Sequence, residues 1–365
     1  MTSVSYGLDV LAEAVIDLGA IAHNTELLLR AAGGAELMTV VKADGFGHGA
    51  VPVARTALAG GATWLGVATP GEALDLRAAG IDAPVLLWLY PPDHDFGPVL
   101  AAGVDVSVAD VSVLKAVAAD AVKTGRPASV HLKADTGMSR GGAVPSEWLR
   151  LLEAARGLEE DGAVRVTGLW SHLATAEDTT DAGLHEQIRR FADFRRAAQT
   201  AGVLAPLIHL ANSAATLHLP QTRHDLVRTG IALYGIEPVP GRIFGLSPAM
   251  TVRARVVSVS GSLAQIPLGF ADGIPWRVAG RASLQLHGVR VPIAGRITMD
   301  EVVVDIGDLP VQPGDVAVML GPGTSGEPTA ADWARWADTN PHEILTGIGP
   351  RVVRRYLSHS DLAAR

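Results

Sequence analysis

The sequence predicts an α/β fold, with an N-terminal (β/α)8 barrel over residues 1–237 and a C-terminal mostly-β domain over 238–365. Three observations carry that reading. Eight short apolar runs, at 37–41, 64–68, 84–89, 104–108, 129–132, 164–169, 207–210 and 225–227, alternate with stretches of helical periodicity such as 51–59, 70–79, 111–123, 146–156 and 184–200. Short strands separated by helices imply parallel pairing through right-handed crossovers, and eight such units suggest a closed barrel, although a doubly wound sheet shares the alternation. After Tyr234 the texture changes to closely spaced Val- and Ile-rich runs punctuated by Gly and Pro, at 252–259, 264–270, 284–286, 289–294, 302–306 and 316–320, interrupted by one helix at Ala330–Ala337.

Taken in order, 12–18 reads as a strand and 20–32 as a helix ahead of the first barrel unit. That unit ends in Val40-Val41-Lys42-Ala43-Asp44-Gly45-Phe46-Gly47-His48-Gly49. A lysine delivered at a strand end is costly to bury without a partner or a job. The job that fits is a Schiff base to pyridoxal phosphate (PLP), since the amine must be desolvated and held still. The alternative is a lysine that snorkels to the barrel rim. The fifth run ends at Lys133, followed by Asp135-Thr136-Gly137-Met138-Ser139-Arg140. The sixth ends at Ser171-His172, the seventh at His209 with Asn212-Ser213 after it, and the eighth at Arg228 with Thr229-Gly230-Ile231 after it. Barrel chemistry sits where strands end, and the loops after the last two strands commonly hold phosphate, so Ser213, Gly230 and Ile231 are candidates for that anion.

Composition limits the partners. The 365 residues are 48% hydrophobic and 19% charged, which is globular. A net charge of −8 without a basic cluster argues against nucleic acid and anionic membranes. No apolar run approaches the roughly 18 residues of a membrane span, and residues 1–10 lack the pattern of a signal peptide. The chain has no cysteine, which excludes disulfides, thiolate metal sites and cysteine nucleophiles and fits a cytoplasmic protein. No metal site is expected: Asp93-His94-Asp95, the densest ligand cluster, lies in a Pro-rich loop and reads as a solvated turn. The segment from Gly321 to Gly326 lacks the Lys-Ser/Thr ending of a phosphate-binding loop and reads as a turn.

With those residues laid out, the chain resembles the alanine racemases, fold-type III PLP enzymes, over nearly its whole length. The matching stretches are Val40 to Asp44 with Gly47-His48-Gly49, Lys133 to Met138, Ser171-His172 with Ala174-Thr175-Ala176, Ala211 to Ala214, and Val227-Arg228 with Gly230 to Gly235. In the second domain they are Pro267-x-Gly269 through Asp272-Gly273, and Gly295-Arg296-Ile297-x-Met299-Asp300. The resemblance implies roles. Lys42 carries the Schiff base and acts as base on one face of the substrate Cα, Arg228 bonds the pyridine nitrogen, His172 packs on the cofactor ring, and Arg140 lies near its phenolic oxygen. Phe46, Asn212, Ser213, Gly230 and Ile231 belong to the cofactor-binding set. Met299, with Asp300 beside it, meets the substrate carboxylate, and Lys133 matches a lysine often carbamylated in this family. A small amino-acid substrate and a head-to-tail homodimer are implied as well.

The departures matter as much. The family's second base is a tyrosine in a Gly-Tyr-Ala-Asp-Gly stretch, and here that position is Phe270. The four tyrosines are Tyr6, Tyr90, Tyr234 and Tyr356, so none lies between 235 and 355. His287, Asp300 and Glu301 are the candidate substitutes. Phe46 stands at another usual tyrosine position, and Gly349-Pro350-Arg351 stands where some members place a further phosphate-contacting tyrosine. A segment that shapes the entrance is shortened to Gly261-Ser262-Leu263-Ala264, which points to a differently shaped entry and a larger or carrier-bound substrate. Three readings follow. One is single-face PLP chemistry with Lys42 as the only base (aldol or retro-aldol cleavage, elimination, decarboxylation or retentive exchange). Another is an amino-acid racemase, an isomerase, using water or a substitute acid on the Phe270 face. The third is a PLP-binding protein without turnover.

Overall fold

The structure, a computed structural model, describes residues 9–357. Tyr6 and the first eight residues of the segment searched for a signal peptide lie outside the described residues.

The chain starts at β1 (Ala12–Asp17) and continues through the eight expected runs as β2 (Glu36–Val40), β3 (Trp64–Val67), β4 (Val85–Leu87), β5 (Asp105–Val108), β6 (Ala128–Lys133), β7 (Val164–Trp170), β8 (Leu207–His209) and β9 (Leu226–Thr229). These eight, β2 to β9, form one parallel sheet in which β2 lies between β3 and β9 and the order runs round to β8. Two backbone bonds bridge the remaining seam: Asp225 N–H donates to the Ile208 carbonyl and Arg228 N–H to that of Ala211, each at 3.0 Å. The result is a near-closed barrel wrapped by helices. Strands covered on both faces lose the alternation of a half-exposed sheet, and every residue of β3, β4 and β9 is buried. Met38, Trp64, Leu86 and Leu226 form a small apolar plug inside.

The helices begin where local chemistry allows. Asp17 caps Leu18–Ala32 by accepting from Ala20 N–H at 3.0 Å, and Gly33 ends it in the left-handed region at φ 66°. Thr69 and Glu72 form a reciprocal capping box on Pro70–Ala78. No helix among the described residues is long and apolar enough to cross a membrane.

The second sheet holds β10 (Met250–Arg255), β11 (Ser258–Ser260), β12 (Leu263–Ile266), β13 (Ser283–Leu286), β14 (Val289–Ala294), β15 (Val302–Asp305), β16 (Val316–Leu320) and β17 (Val353–Leu357), in the order β11-β12-β15-β14-β13-β16-β10-β1-β17. β1 is therefore a strand of this sheet, antiparallel to β10 and parallel to β17, so the chain enters the barrel only after it. The buried Glu13 carboxylate fixes that junction, with Arg253 on β10 and Arg355 on β17 both at 2.5 Å. The expected run 252–259 splits into β10 and β11, and 264–270 stops at Ile266 because Pro267 has no N–H to donate to the ladder. Two elements were not expected: β17, and a helix at Pro341–Thr346 capped by Asn340.

Candidate active site

The first wall of the site is a left-handed backbone turn. Directly after Lys42, Ala43, Asp44, Gly45 and Phe46 have φ of 52°, 50°, 60° and 53°. A non-glycine residue there costs about 1–2 kcal/mol, so the turn must be held from outside. Glu72 accepts Ala43 N–H at 2.7 Å, Asp44 Oδ1 accepts Ala50 N–H at 2.8 Å, and Arg354 on β17 donates to the Gly47 carbonyl at 3.1 Å. Gly47 is required twice over. Its φ is 79°, and a Cβ would come within 2.6 Å of the Leu345 carbonyl oxygen on the second domain's helix. Such over-determined strain is characteristic of functional segments. Burial lowers the Lys42 amine pKa, Arg140 lowers it further, and Glu72 partly offsets both.

Around this lysine the strand ends deliver three more cations. Arg228 reaches inward from β9, fully buried, and donates to the carbonyls of Ser171 at 2.8 Å and Leu210 at 3.3 Å, with His172 Nδ1 at 3.4 Å. Burial pushes its pKa down to about 9, so it stays charged at neutral pH. Its guanidinium and the Lys133 Nζ each lie 4.8 Å from the centre of the Trp170 ring. Lys133 donates to the Arg140 carbonyl at 3.1 Å, and burial, with Arg140 and Arg228, pushes its pKa down to about 8. His172 is held well below its usual range by burial and by Arg228, Arg140, Lys133 and Lys42, so its ring is neutral. Among the described residues none of the four cations is paired with a carboxylate in a salt bridge.

Beside the cations lies a small cradle. Asn212 caps the short Ser213–His218 helix through Ala215 N–H at 3.1 Å, and Ser213 Oγ accepts from the backbone N–H groups of Gly230 at 3.0 Å and Ala232 at 3.4 Å. A Cβ at Gly230 would stand 3.1 Å from the Phe46 ring, so the glycine lets that ring close the edge of the cradle. Ile231 is buried next to it.

The second domain's candidates sit apart from this cluster. Phe270 N–H donates to the Thr298 carbonyl and Ala271 N–H to that of Met299, each at 3.0 Å. Asp272 is buried and takes both arms of Arg351, at 2.9 and 2.8 Å, and Arg351 also bonds Asp300 at 2.6 Å. Phe270 and Met299 are 45% and 55% exposed. Among the described residues no hydrogen bond or ion pair joins Phe270, Met299 or Asp300 to the barrel cations. The candidate substitute acids are engaged elsewhere: Asp300 with Arg351, His287 with Asp315 at 3.0 Å, and Glu301 with Gln265.

At the C-terminal stretch, Arg351 belongs to the Asp272–Asp300 cluster, and a ring that packs beside Phe46 is His342, with ring centres 5.8 Å apart. Burial, then Lys42, lowers the His342 pKa. The available signal was Asn340-Pro341, a helix cap followed by a first-turn proline. Asp105 and His131, both inside the barrel, were also missed.

The comparisons with known proteins agree with this arrangement. The family model "Alanine racemase, N-terminal domain" matches residues 16–238 and "Alanine racemase, C-terminal domain" matches 250–356. The chain is 47% identical to an alanine racemase of Thermobifida fusca over 94% of its own length and 98% of that protein's. The solved alanine racemase of Streptomyces coelicolor A3(2) superposes with a TM-score of 0.93 at 44% identity, covering 95% of this chain and 98% of that one. That of a D-cycloserine-producing Streptomyces lavendulae also gives 0.93, at 43% identity and 96% and 98% coverage. With both family models matched in order and nearly full-length relatives well above 40% identity, the chain belongs to the alanine racemase family.

Proposed function

We propose that the protein is a PLP-dependent racemase of a small amino acid in which Lys42 works one face of Cα and no tyrosine works the other. The family's enzymes depend on PLP, and the residues present fit it. Four cations without a salt-bridged carboxylate among the described residues suit its phosphate, its phenolic oxygen and the substrate carboxylate, and the Ser213–Gly230 cradle lies beside them. Bound there, the cofactor supplies an aldehyde for the substrate amine and a conjugated ring that disperses the electron pair left at Cα.

The chain's own residues do the rest. Burial, then Arg140, lowers the Lys42 pKa, the direction a base requires. Arg228 is anchored by backbone carbonyls and would donate to the ring nitrogen, while neutral His172 would pack on the ring face. Arg140 would hold the phenolic oxygen or the substrate carboxylate. Ser213, Gly230 and Ile231, flanked by Asn212 and Phe46, would hold the phosphate. Lys133 fits carbamylation: at about neutral pH a pKa near 8 leaves roughly a tenth of it neutral and able to add to CO2 with loss of a proton, and the resulting anion would face Arg140 and Arg228. Exposed Phe270 and Met299 support a head-to-tail homodimer in which each second domain completes its partner's site.

The observation that carries the racemase reading is the joint placement of Lys42, Arg140, His172 and Arg228 in a chain 47% identical to named racemases. The single-face reading rests on a different one. The tyrosines among the described residues are committed elsewhere: Tyr90 donates to Ser107 O at 2.5 Å, Tyr234 is buried on Val40 O at 3.0 Å, and Tyr356 lies against Gly49. The experiment is L-alanine with the enzyme in D2O. Loss of chirality at a rate comparable to deuterium uptake supports racemisation; uptake with chirality retained supports the single-face reading.

A further inference from the structure

The barrel interior holds titratable groups that the proposed mechanism leaves unused. Arg228 Nη1 lies 3.2 Å from His209 Nδ1, His209 Nε2 lies 2.8 Å from His131 Nδ1, and His131 Nε2 lies 3.3 Å from Asp105 Oδ2. Both imidazoles are fully buried and Asp105 nearly so. From these contacts we propose that Asp105 and His131 are positioning residues for Arg228, acting through His209 as a hydrogen-bond relay that runs in one direction only.

The direction follows from donor counting. A guanidinium has no acceptor, so His209 Nδ1 must accept. Burial keeps the His209 ring neutral, which puts its proton on Nε2 and makes His131 Nδ1 the next acceptor. The His131 proton then sits on Nε2 and points at the Asp105 carboxylate. Reversing a ring's tautomer sets two N–H groups head to head in a buried site and leaves both without an acceptor. Asp105 thus takes the proton at the far end of the relay, completes the hydrogen bonding of both rings and, through them, holds the pose of a cation three residues further along.

The fold makes room for this. β6 and β7 slip register between Val130 and His131, which sets His131 opposite Gly168, and a Cβ at Gly168 would run into the His131 ring. Trp170 stacks on His209 with an interplanar angle of 5° and lies under Arg228, and its indole N–H is held by Ser107 at 3.0 Å. The other titratable groups facing the relay are the cations Lys133, over Trp170, and Arg77, with the imidazoles of His172 and His224 around its ends.

The functional role of Arg228 rests on the proposed PLP reading, so the test reads the relay first in the cofactor-free protein. Side-chain nitrogen NMR of the full chain should show His131 and His209 each protonated on Nε2 and bare on Nδ1. Asp105→Asn keeps an acceptor and should leave both tautomers and kcat within about twofold. Asp105→Leu leaves the buried His131 Nε2–H without its acceptor, so it should move that nitrogen's NMR shift and lower kcat/KM roughly ten- to a hundredfold, the scale of a misplaced catalytic partner. His131→Phe, which keeps the ring volume and deletes the link, should match it. A proton on Nδ1 of either ring in the wild type overturns the relay. So does unchanged kcat/KM in both Asp105→Leu and His131→Phe at full PLP occupancy, or a loss in Asp105→Asn equal to that in Asp105→Leu. Failure of wild-type protein to bind PLP would instead sink the proposed function and leave the NMR result standing.

Discussion

The barrel end of the site and the Phe270 loop solve their electrostatics in opposite ways. At the barrel end Lys42, Lys133, Arg140 and Arg228 converge without a salt-bridged carboxylate, and burial, then the neighbouring cations, pushes the lysines down in pKa. On the Phe270 loop the carboxylates are answered within the chain: Arg351 takes both Asp272 and Asp300, and the apolar surfaces of Phe270 and Met299 remain exposed. A cluster of uncompensated cations is stable only if an anion arrives from outside. A self-neutralised loop needs no ligand and offers shape instead. On the proposed function, the binding half of the family's site is kept in the barrel, and the Phe270 loop is the half that differs.

Two substitutions separate those halves. Lys42→Ala should remove the visible absorbance of lysine-bound PLP and lower turnover by about 10³-fold or more. Absorbance unchanged in the variant would mean that the cofactor is not attached there. Phe270→Tyr should raise racemisation, by up to roughly a hundredfold, since a positioned general acid contributes on that scale. It should leave PLP absorbance unchanged, because the ring sits on the other half. No gain in racemisation would show that the loop's geometry, and not merely its hydroxyl, has diverged.

How much of this was legible depended on sequence distance. The eight barrel strands are buried on both faces and announce themselves as apolar runs, and the residues at their ends (Lys42, Lys133, His172, Arg228) could be read directly. β17 was not legible because Arg354 and Arg355 interrupt its pattern: they are there to bind the Gly47 carbonyl and Glu13, contacts more than 300 residues away in sequence. β1 looked like any short strand, since nothing local says that its partners lie in the second sheet. Asp105 and His131 hid inside apolar runs, where a polar residue reads as noise until its partner is seen. His342 hid for the same reason as β17, its partner Phe46 being almost the whole chain away.

Lys133 sharpens the comparison through pH. Its folded pKa of about 8 lies below the ordinary 10.5, so in that interval the unfolded chain binds more protons and stability rises with pH. In CO2-free buffer Lys133→Met should therefore be more stable than wild type at about pH 7, by a few degrees in Tm, with the gain fading as pH climbs through about 8 towards 10.5. Bicarbonate should raise the wild-type Tm and not that of the variant. A bicarbonate effect equal in both would rule out carbamylation at Lys133.

The smallest effect is expected at His342, which lies at the seam between the two halves. Its ring supports Phe46, and Phe46 closes the edge of the cradle at Gly230. His342→Ala should weaken PLP retention only several-fold, as the loss of a partly exposed packing contact. Because burial and Lys42 hold its pKa below the usual histidine value, the ring is neutral above that value and the loss should be the same at about pH 7 and about pH 9. If PLP retention by the wild type instead falls as pH rises across neutrality, and the variant's does not, the ring is protonated when the anion is bound. His342 would then count with the cations of the barrel end.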